Sequence, residues 1–241
     1  MVEVVRQTRR LLWRDAARHS FELRRMLLDQ FRHEDFRGKR ILDVGTGEGR
    51  LAFVAATLGG HVLGVDIDRA KLQTARAYAS VRGIRHVDFA YGDVEKTPYR
   101  EFSAEPFDYV LSNLCMSDAI VWRSSRALRP GGRFIFCCHH GDQWKETKRG
   151  SRHAFYEDQM EELLRENEFD IEFIGVDTIV AEFDELRQVE LFLRNAIVRK
   201  WVADGRWEEL ADSFDRGETT LTQSYLIVKA RRLAHGYAAG Q

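Results

Sequence analysis

Asp43-Val-Gly45-Thr-Gly47-Glu-Gly49 is the stretch that decides how this sequence folds. It follows the short apolar run Arg40–Val44, which reads as a buried strand, and precedes Leu51, Val54, Ala55 and Leu58, whose spacing is helical. A glycine-rich turn between a strand and a helix lets the backbone turn sharply, approach a ligand closely and present free N–H groups to an anion. The same turn occurs without a ligand, so the residues around it carry the argument. A dinucleotide fingerprint counted from Gly45 needs a small residue at position 50, where Arg50 stands. Asp43, just before the first glycine, would repel a pyrophosphate and suits a cofactor bearing a positive amino group.

Outward from this stretch the pattern alternates. Gly59-Gly60 stops the helix, His61–Asp66 is a second strand, and Asp68 caps a helix that runs to about Arg82 before Gly83. Further strands are expected at His86–Tyr91, Phe107–Ser112, Arg133–Cys138, Ile171–Thr178 and Thr222–Lys229. Helices are expected at Asp118–Leu128, Phe155–Asn167 and, as one long segment, about Asp184–Asp215. Before the core, Leu12, Ala16, Leu23, Met26, Leu27 and Phe31 recur at helical spacing, so residues 1–38 read as a helical segment. The expectation is one domain over 1–241: an α/β, doubly wound, mostly parallel sheet with a cofactor-binding core at 39–140 and a helical insertion or lid at 184–215.

Acidic residues fall at successive strand ends. Asp66 ends the second strand, where a carboxylate can accept both ribose hydroxyls. Asp93, in Gly92-Asp93-Val94, ends the third, where it can accept from an adenine amino group while Val94 packs on the ring. Each could be an ordinary cap. Together with Asp43 they mark the face where open α/β sheets bind ligands.

With these residues in place, the chain resembles the class I S-adenosylmethionine-dependent methyltransferases, and within them the small-molecule family that includes the ubiquinone and menaquinone enzymes. Asp43–Gly49 matches that family's D-x-G-x-G-x-G motif. Phe107–Asn113 resembles its next strand, and Arg126-Ala-Leu128-Arg-Pro130-Gly131-Gly132 its turn before the fifth. The match covers about Lys39 to His140. It implies seven strands, the last antiparallel and slipped between two others. It implies S-adenosyl-L-methionine as cofactor, held by Asp43, Gly45, Thr46, Gly47, Gly49, Asp66, Ile67, Asp93, Val94, Ser112 and Asn113, and a small-molecule methyl acceptor.

For chemistry, His139, His140 and His153 are candidate bases, and Asn113 could orient an acceptor. A metal shared by His139 and His140 is not expected, because adjacent residues on an extended chain point apart. Ser112-Asn113-Leu114 and the Arg187–Arg199 helix resemble the biotin-pathway relatives, which methylate an acyl group on a carrier protein. An RNA-modifying enzyme or a catalytically silent cofactor-binding module are further alternatives.

Composition bounds these readings. Apolar residues make up 44% of the 241, enough for a full core, and the formal net charge of −1 gives no global basic field for nucleic acid. Charge is uneven: eleven bases against six acids over Met1–Arg40, seven against nineteen over Ala154–Thr220. Cys115, Cys137 and Cys138 form no C-x-x-C pattern and read as reduced thiols of a cytoplasmic protein. No apolar run is long enough for a membrane span. The face Leu186, Val189, Leu193, Ile197 and Trp201 serves either to pack, to form a homodimer contact, or to cover the acceptor.

Overall fold

The structure, a computed structural model, describes residues 2–20, 22–151 and 153–234. Its centre is a sheet whose strands are β1 (Val4–Leu12), β2 (Arg40–Val44), β3 (His61–Asp66), β4 (Val87–Tyr91), β5 (Phe107–Asn113), β6 (Leu128–His140), β7 (Ala154–Phe155), β8 (Phe169–Glu182) and β9 (Thr220–Arg232). The spatial order is β1-β8-β9-β6-β5-β2-β3-β4, with β7 attached to β6. All pairs are parallel except those of β9, which lies antiparallel between β6 and β8. Two strands more than the expected seven are present among the described residues: β1, which lengthens one edge, and the two-residue β7.

The helices are α1 (Trp13–Ser20), α2 (Arg25–Phe31), α3 (Arg50–Thr57), α4 (Arg69–Arg82), α5 (Asp118–Ala127), α6 (Glu157–Glu166), α7 (Leu186–Phe192), α8 (Asn195–Asp204) and α9 (Arg206–Asp215). Strand side chains alternate between faces. Leu42, Val110, Phe134, Phe136 and Val228 meet Ile120 of α5 and Met160 of α6 on one face, whereas Ile41, Leu111, Ile135 and Ile227 meet Leu27 of α2 and Leu51 and Ala55 of α3 on the other. Both faces are therefore covered, which is why these strands are nearly continuous in apolar residues.

A third cluster joins Ala16 of α1, Val189 and Phe192 of α7, Trp201 of α8 and Leu210 of α9 to Ile179 and Ala181 of β8 and Leu221 of β9. These sheet residues lie at the carboxyl end of β8 and the amino end of the antiparallel β9. The helices thus sit over the edge where all the parallel strands end.

Two expectations are corrected. Residues 1–38 are not one helical segment. Val4–Leu12 pairs in parallel with Ile174–Glu182, and only Trp13–Ser20 and Arg25–Phe31 are helical. The strand is held by partners far along the chain: Arg9 bonds Asp177 at 3.1 Å and Arg10 bonds Glu182 at 2.7 Å. Those carboxylates also neutralise the arginines of an edge strand. The expected long helix at 184–215 is three short ones, broken at Leu193-Arg194 and at Gly205, which takes φ +83°.

Candidate functional site

The loop from Val44 to Gly49 is tightly determined. Gly45 has φ +67°, and a Cβ there would lie 2.4 Å from the Cβ and Sγ of Cys115. Gly49, at φ +81°, starts α3, and a Cβ would strike Phe53 and Phe89. A side chain at either position would be strained as well as obstructed. The Thr46 N–H donates to Val65 O at 3.0 Å, and its hydroxyl donates to the Asp43 carboxylate at 2.6 Å. Asp43 is 1% exposed. Its burial pushes the carboxyl up to about 7, against the bonds from Thr46 and the Ala52 N–H, and the Asp66 charge adds to the rise. A buried carboxylate raised this far gains most from a cation placed beside it.

Asp66 latches the same loop to the next strand. One of its oxygens accepts the Gly47 N–H at 2.8 Å and the other accepts the Asp68 N–H at 2.8 Å. An ionised carboxylate has about four acceptor positions, so two remain for a ligand. Asp68 separately caps α4, accepting from Ala70 and Lys71. Ile67 between them is 59% exposed, an apolar surface at a strand end. Asp93 accepts the Glu95 N–H at 3.0 Å, and this bond, with Lys96 nearby, holds its carboxyl below the ordinary range. Val94 is buried in the core, so Ile67 offers a ligand far more apolar surface than Val94 does.

Ser112 is buried, its hydroxyl shared between the carbonyls of Val44 and Cys115. It shapes the turn after β5 and has no free donor. Asn113 lines a cleft of about 270 Å³ with Asp43, Gly45, Thr46 and Gly47. Glu22, Lys71 and Arg194 line it too. Sequence reasoning missed all three, since they come from three separate elements. Arg194 caps α8, so the 184–215 segment reaches the cofactor face directly. Leu114, beside Asn113, is held at φ +60° and donates its N–H to Cys137 O at 2.7 Å, a strained conformation at the mouth of the cleft.

The two histidines that end β6 point apart. His140 is 2% exposed. Its Nδ1 accepts the Asp142 N–H at 3.2 Å, which leaves Nε2 to donate to Glu157 at 3.0 Å. Ser224 Oγ also lies 3.2 Å from Nδ1. His140 ties β6 to α6 and β9 and is not available to a substrate. His139 turns the other way, toward the rings of Tyr225 and Trp144. Burial, with His153 nearby, pushes it down to about 4, a poor value for a base near neutrality. The Cys115 thiol is pushed up to about 12 by burial and the surrounding acids, so it is no nucleophile.

A doubly wound sheet with a glycine-rich turn, a buried Asp before it and a carboxylate at the end of the neighbouring strand defines a nucleotide-cofactor-binding α/β protein. Comparison narrows this. A family described as a methyltransferase domain matches residues 35–169, more than half of the chain, and the chain belongs to that family, the class I S-adenosylmethionine-dependent methyltransferases. The ribosomal protein L11 methyltransferase of Thermus thermophilus is 42% identical over 101 residues, 41% of this chain and 37% of that protein. The ubiquinone biosynthesis O-methyltransferase of Nitrosococcus oceani is 36% identical over 110 residues, 43% of this chain and 45% of that one. The chain thus spans less than half the length of these curated relatives. A solved structure from Bacillus halodurans, a candidate methyltransferase, superposes with a TM-score of 0.66 at 18% identity, covering 87% of this chain and 98% of the other. Among the described residues, no helix is long and apolar enough to cross a membrane.

Proposed function

We propose that this chain binds S-adenosylmethionine in the cleft between β2, β3 and β5 and transfers its methyl group to a small-molecule acceptor. The observation that carries this is the pairing of the buried, cation-seeking Asp43 with the Asp66-latched glycine turn in one cleft. The cradle fits the cofactor, because nothing but the Lys71 side chain, at 3.9 Å, stands beside Gly47, which leaves its backbone open to a ligand in the cleft lined by Asp43 and Asn113. Bound S-adenosylmethionine supplies a methyl group on a positively charged sulfur.

The residues of the chain bind and orient. Asp43 meets the amino group, while the N–H groups at the start of α3 face the carboxylate. Asp66 accepts the ribose hydroxyls with its two remaining acceptor positions. Asp93 accepts from the adenine amino group, and Ile67 covers the ring. Asn113 orients what enters beside it. The helices α7–α9 cover the strand ends and exclude water, and the segment they form governs acceptor choice. Positioning can contribute about 7–11 kcal/mol to such a displacement. With His140 locked and His139 depressed, the reaction proceeds without a strong side-chain base, which favours an acceptor that is already nucleophilic.

Titration of the full chain with S-adenosylmethionine and S-adenosylhomocysteine tests the cofactor half. Incubation with labelled cofactor and a metabolite extract tests the acceptor half: label should enter low-molecular-weight products. Label confined to protein would instead favour a protein acceptor, the reading suggested by the ribosomal-protein methyltransferases among its relatives.

A further inference from the structure

Beside α8 lies a second cavity, about 760 Å³ in volume, and no residue lines both it and the cofactor cleft. Two parts of the chain build it. α8 and the start of α9 contribute Ile197, Lys200, Asp204 and Arg206, and the loop after β6 contributes Trp144 and Arg149. Three cations therefore meet one acid; His153 is the only other titratable group on the lining among the described residues. The surroundings run the other way. The segment Ala154–Thr220 carries nineteen acids and seven bases, yet two of those seven line this cavity.

The one acid is already engaged. Asp204 accepts from Nε and Nη2 of Arg206 at 3.0 and 2.6 Å, and these bonds hold its carboxyl below the ordinary carboxylate range. Arg206 is 7% exposed and fixed by that pair, but its Nη1 has no partner among the described residues. Arg149 donates from Nη1 to the Asp204 carbonyl, which leaves its Nε and Nη2 free of protein partners among the described residues. The Lys200 ammonium, one turn before Asp204, likewise has none. Guanidinium and ammonium groups are donors only, so every free nitrogen on this wall seeks an acceptor. Cations gathered on one cavity repel one another until an anion joins them.

The loop that carries Arg149 is built firmly. Trp144 and Lys148 take φ +61° and +52°, where residues other than glycine are uncommon. Trp144 exchanges backbone contact with β9, its N–H donating to Thr222 O at 2.8 Å, and Glu146 accepts the Thr222 N–H at 3.0 Å. The Thr147 hydroxyl donates to Trp144 O at 2.8 Å. Strained backbone that its neighbours over-determine gathers at ligand sites.

We propose that this cavity is a binding site for an organic phosphate. The phosphate joins Arg149, Lys200 and Arg206, and an apolar or aromatic body lies against Trp144 and Ile197. A phosphomonoester carries about −1.5 to −2 charge near neutral pH, which matches the two positive charges that Asp204 leaves in excess. A single carboxylate would leave one of them unneutralised. Three terminal oxygens also suit three separate donors. The site stands apart from the methyltransferase reading, because it shares no residue with the cofactor cleft. α8 nevertheless joins the two, since Arg194 at its start lines the cleft and Lys200 lines the cavity.

The test titrates the full chain, without S-adenosylmethionine, with phenyl phosphate, inorganic phosphate and benzyl alcohol. Phenyl phosphate should bind about tenfold or more tightly than either of the others, which offer only the anion or only the ring. Lys200→Gln removes an exposed side chain with no partner, so the fold should stand, and it should weaken phenyl phosphate about tenfold. Arg199→Gln removes the same charge from the next residue of α8, which does not line the cavity, and should weaken it by about twofold at most. No binding of phenyl phosphate at about 1 mM, the concentration of a weak but specific site, overturns the proposal. So does an affinity no better than that of inorganic phosphate, full affinity in Lys200→Gln, or an equal loss in Lys200→Gln and Arg199→Gln.

Discussion

Replacing Gly45 by alanine should uncouple the glycine turn from the sheet, and its cost can be divided. Gly45 holds φ +67°, where a residue with a Cβ costs about 1–2 kcal/mol. The added Cβ would also lie 2.4 Å from both Cβ and Sγ of Cys115, an overlap of the kind that costs typically about 1–3 kcal/mol. Gly45→Ala should therefore destabilise the chain by roughly 2–5 kcal/mol. Cys115→Ala would relieve little, because the Cβ contact remains. Cys115→Gly removes both clashing atoms and leaves only Cα, at 3.9 Å from the new methyl. In the Gly45→Ala, Cys115→Gly double variant the steric part should vanish and the backbone part remain, giving a favourable coupling of about 1–3 kcal/mol. Urea unfolding of the four proteins in the cycle measures it. Gly45→Ala with unchanged stability, or a double variant no better than the sum of its parts, would refute the argument that Cys115 closes this turn.

Three further outcomes follow from the site. Asp66→Asn should weaken S-adenosylhomocysteine by about 10- to 150-fold, the worth of a charge-assisted hydrogen bond, with some loss of stability because the Gly47 and Asp68 N–H groups lose their anion; isothermal titration and urea unfolding read the two effects. Asp43 is raised from 3.8 to about 7, so its contribution to stability is complete below pH 4 and is lost as pH rises to 7. Asp43→Asn should therefore gain stability relative to the parent as pH rises from 5 to 7, and a difference that runs the other way would show that burial does not raise the Asp43 carboxyl. Cys115 and Cys137, with thiols raised to about 12, and Cys138, pushed well above the ordinary thiol range by its burial, should resist iodoacetamide at pH 8 in the folded protein and react on unfolding, as mass spectrometry would show.

The cofactor half of the fold was legible because its signals are local. β2 and β3 occupy the bounds read from Arg40–Val44 and His61–Asp66, and Asp68 caps α4 as its position suggested. Each of these depends on a strand, a turn and a helix that are contiguous in sequence. The amino-terminal strand was not legible. Val4–Leu12 is mostly exposed and arginine-rich, and what makes it a strand is a ladder and ion pairs with β8, some 170 residues away. Of the residues read at helical spacing, Ala16 lies in α1 and Met26, Leu27 and Phe31 lie in α2, whereas Leu12 ends β1. The candidate site divides in the same way. Asp43, Gly45, Thr46, Gly47 and Asn113 converge on one cleft, whereas Ser112 and Val94 turn into the interior. His139 and His140 looked alike on paper, and only β9, α6 and the Trp144 loop separate a locked residue from one facing a ring stack. Arg206 was one of seven bases in the acidic segment Ala154–Thr220, and nothing in the sequence sets it apart as the buried one.

The central claim is that the Asp43–Gly49 turn and Asp66 hold S-adenosylmethionine and not a dinucleotide. Calorimetric competition decides it: the account predicts that S-adenosylmethionine and S-adenosylhomocysteine bind one shared site with one-to-one stoichiometry, that Asp66→Asn weakens both, and that NAD gives no heat. Binding of NAD, with none of S-adenosylmethionine or its demethylated product, would contradict it.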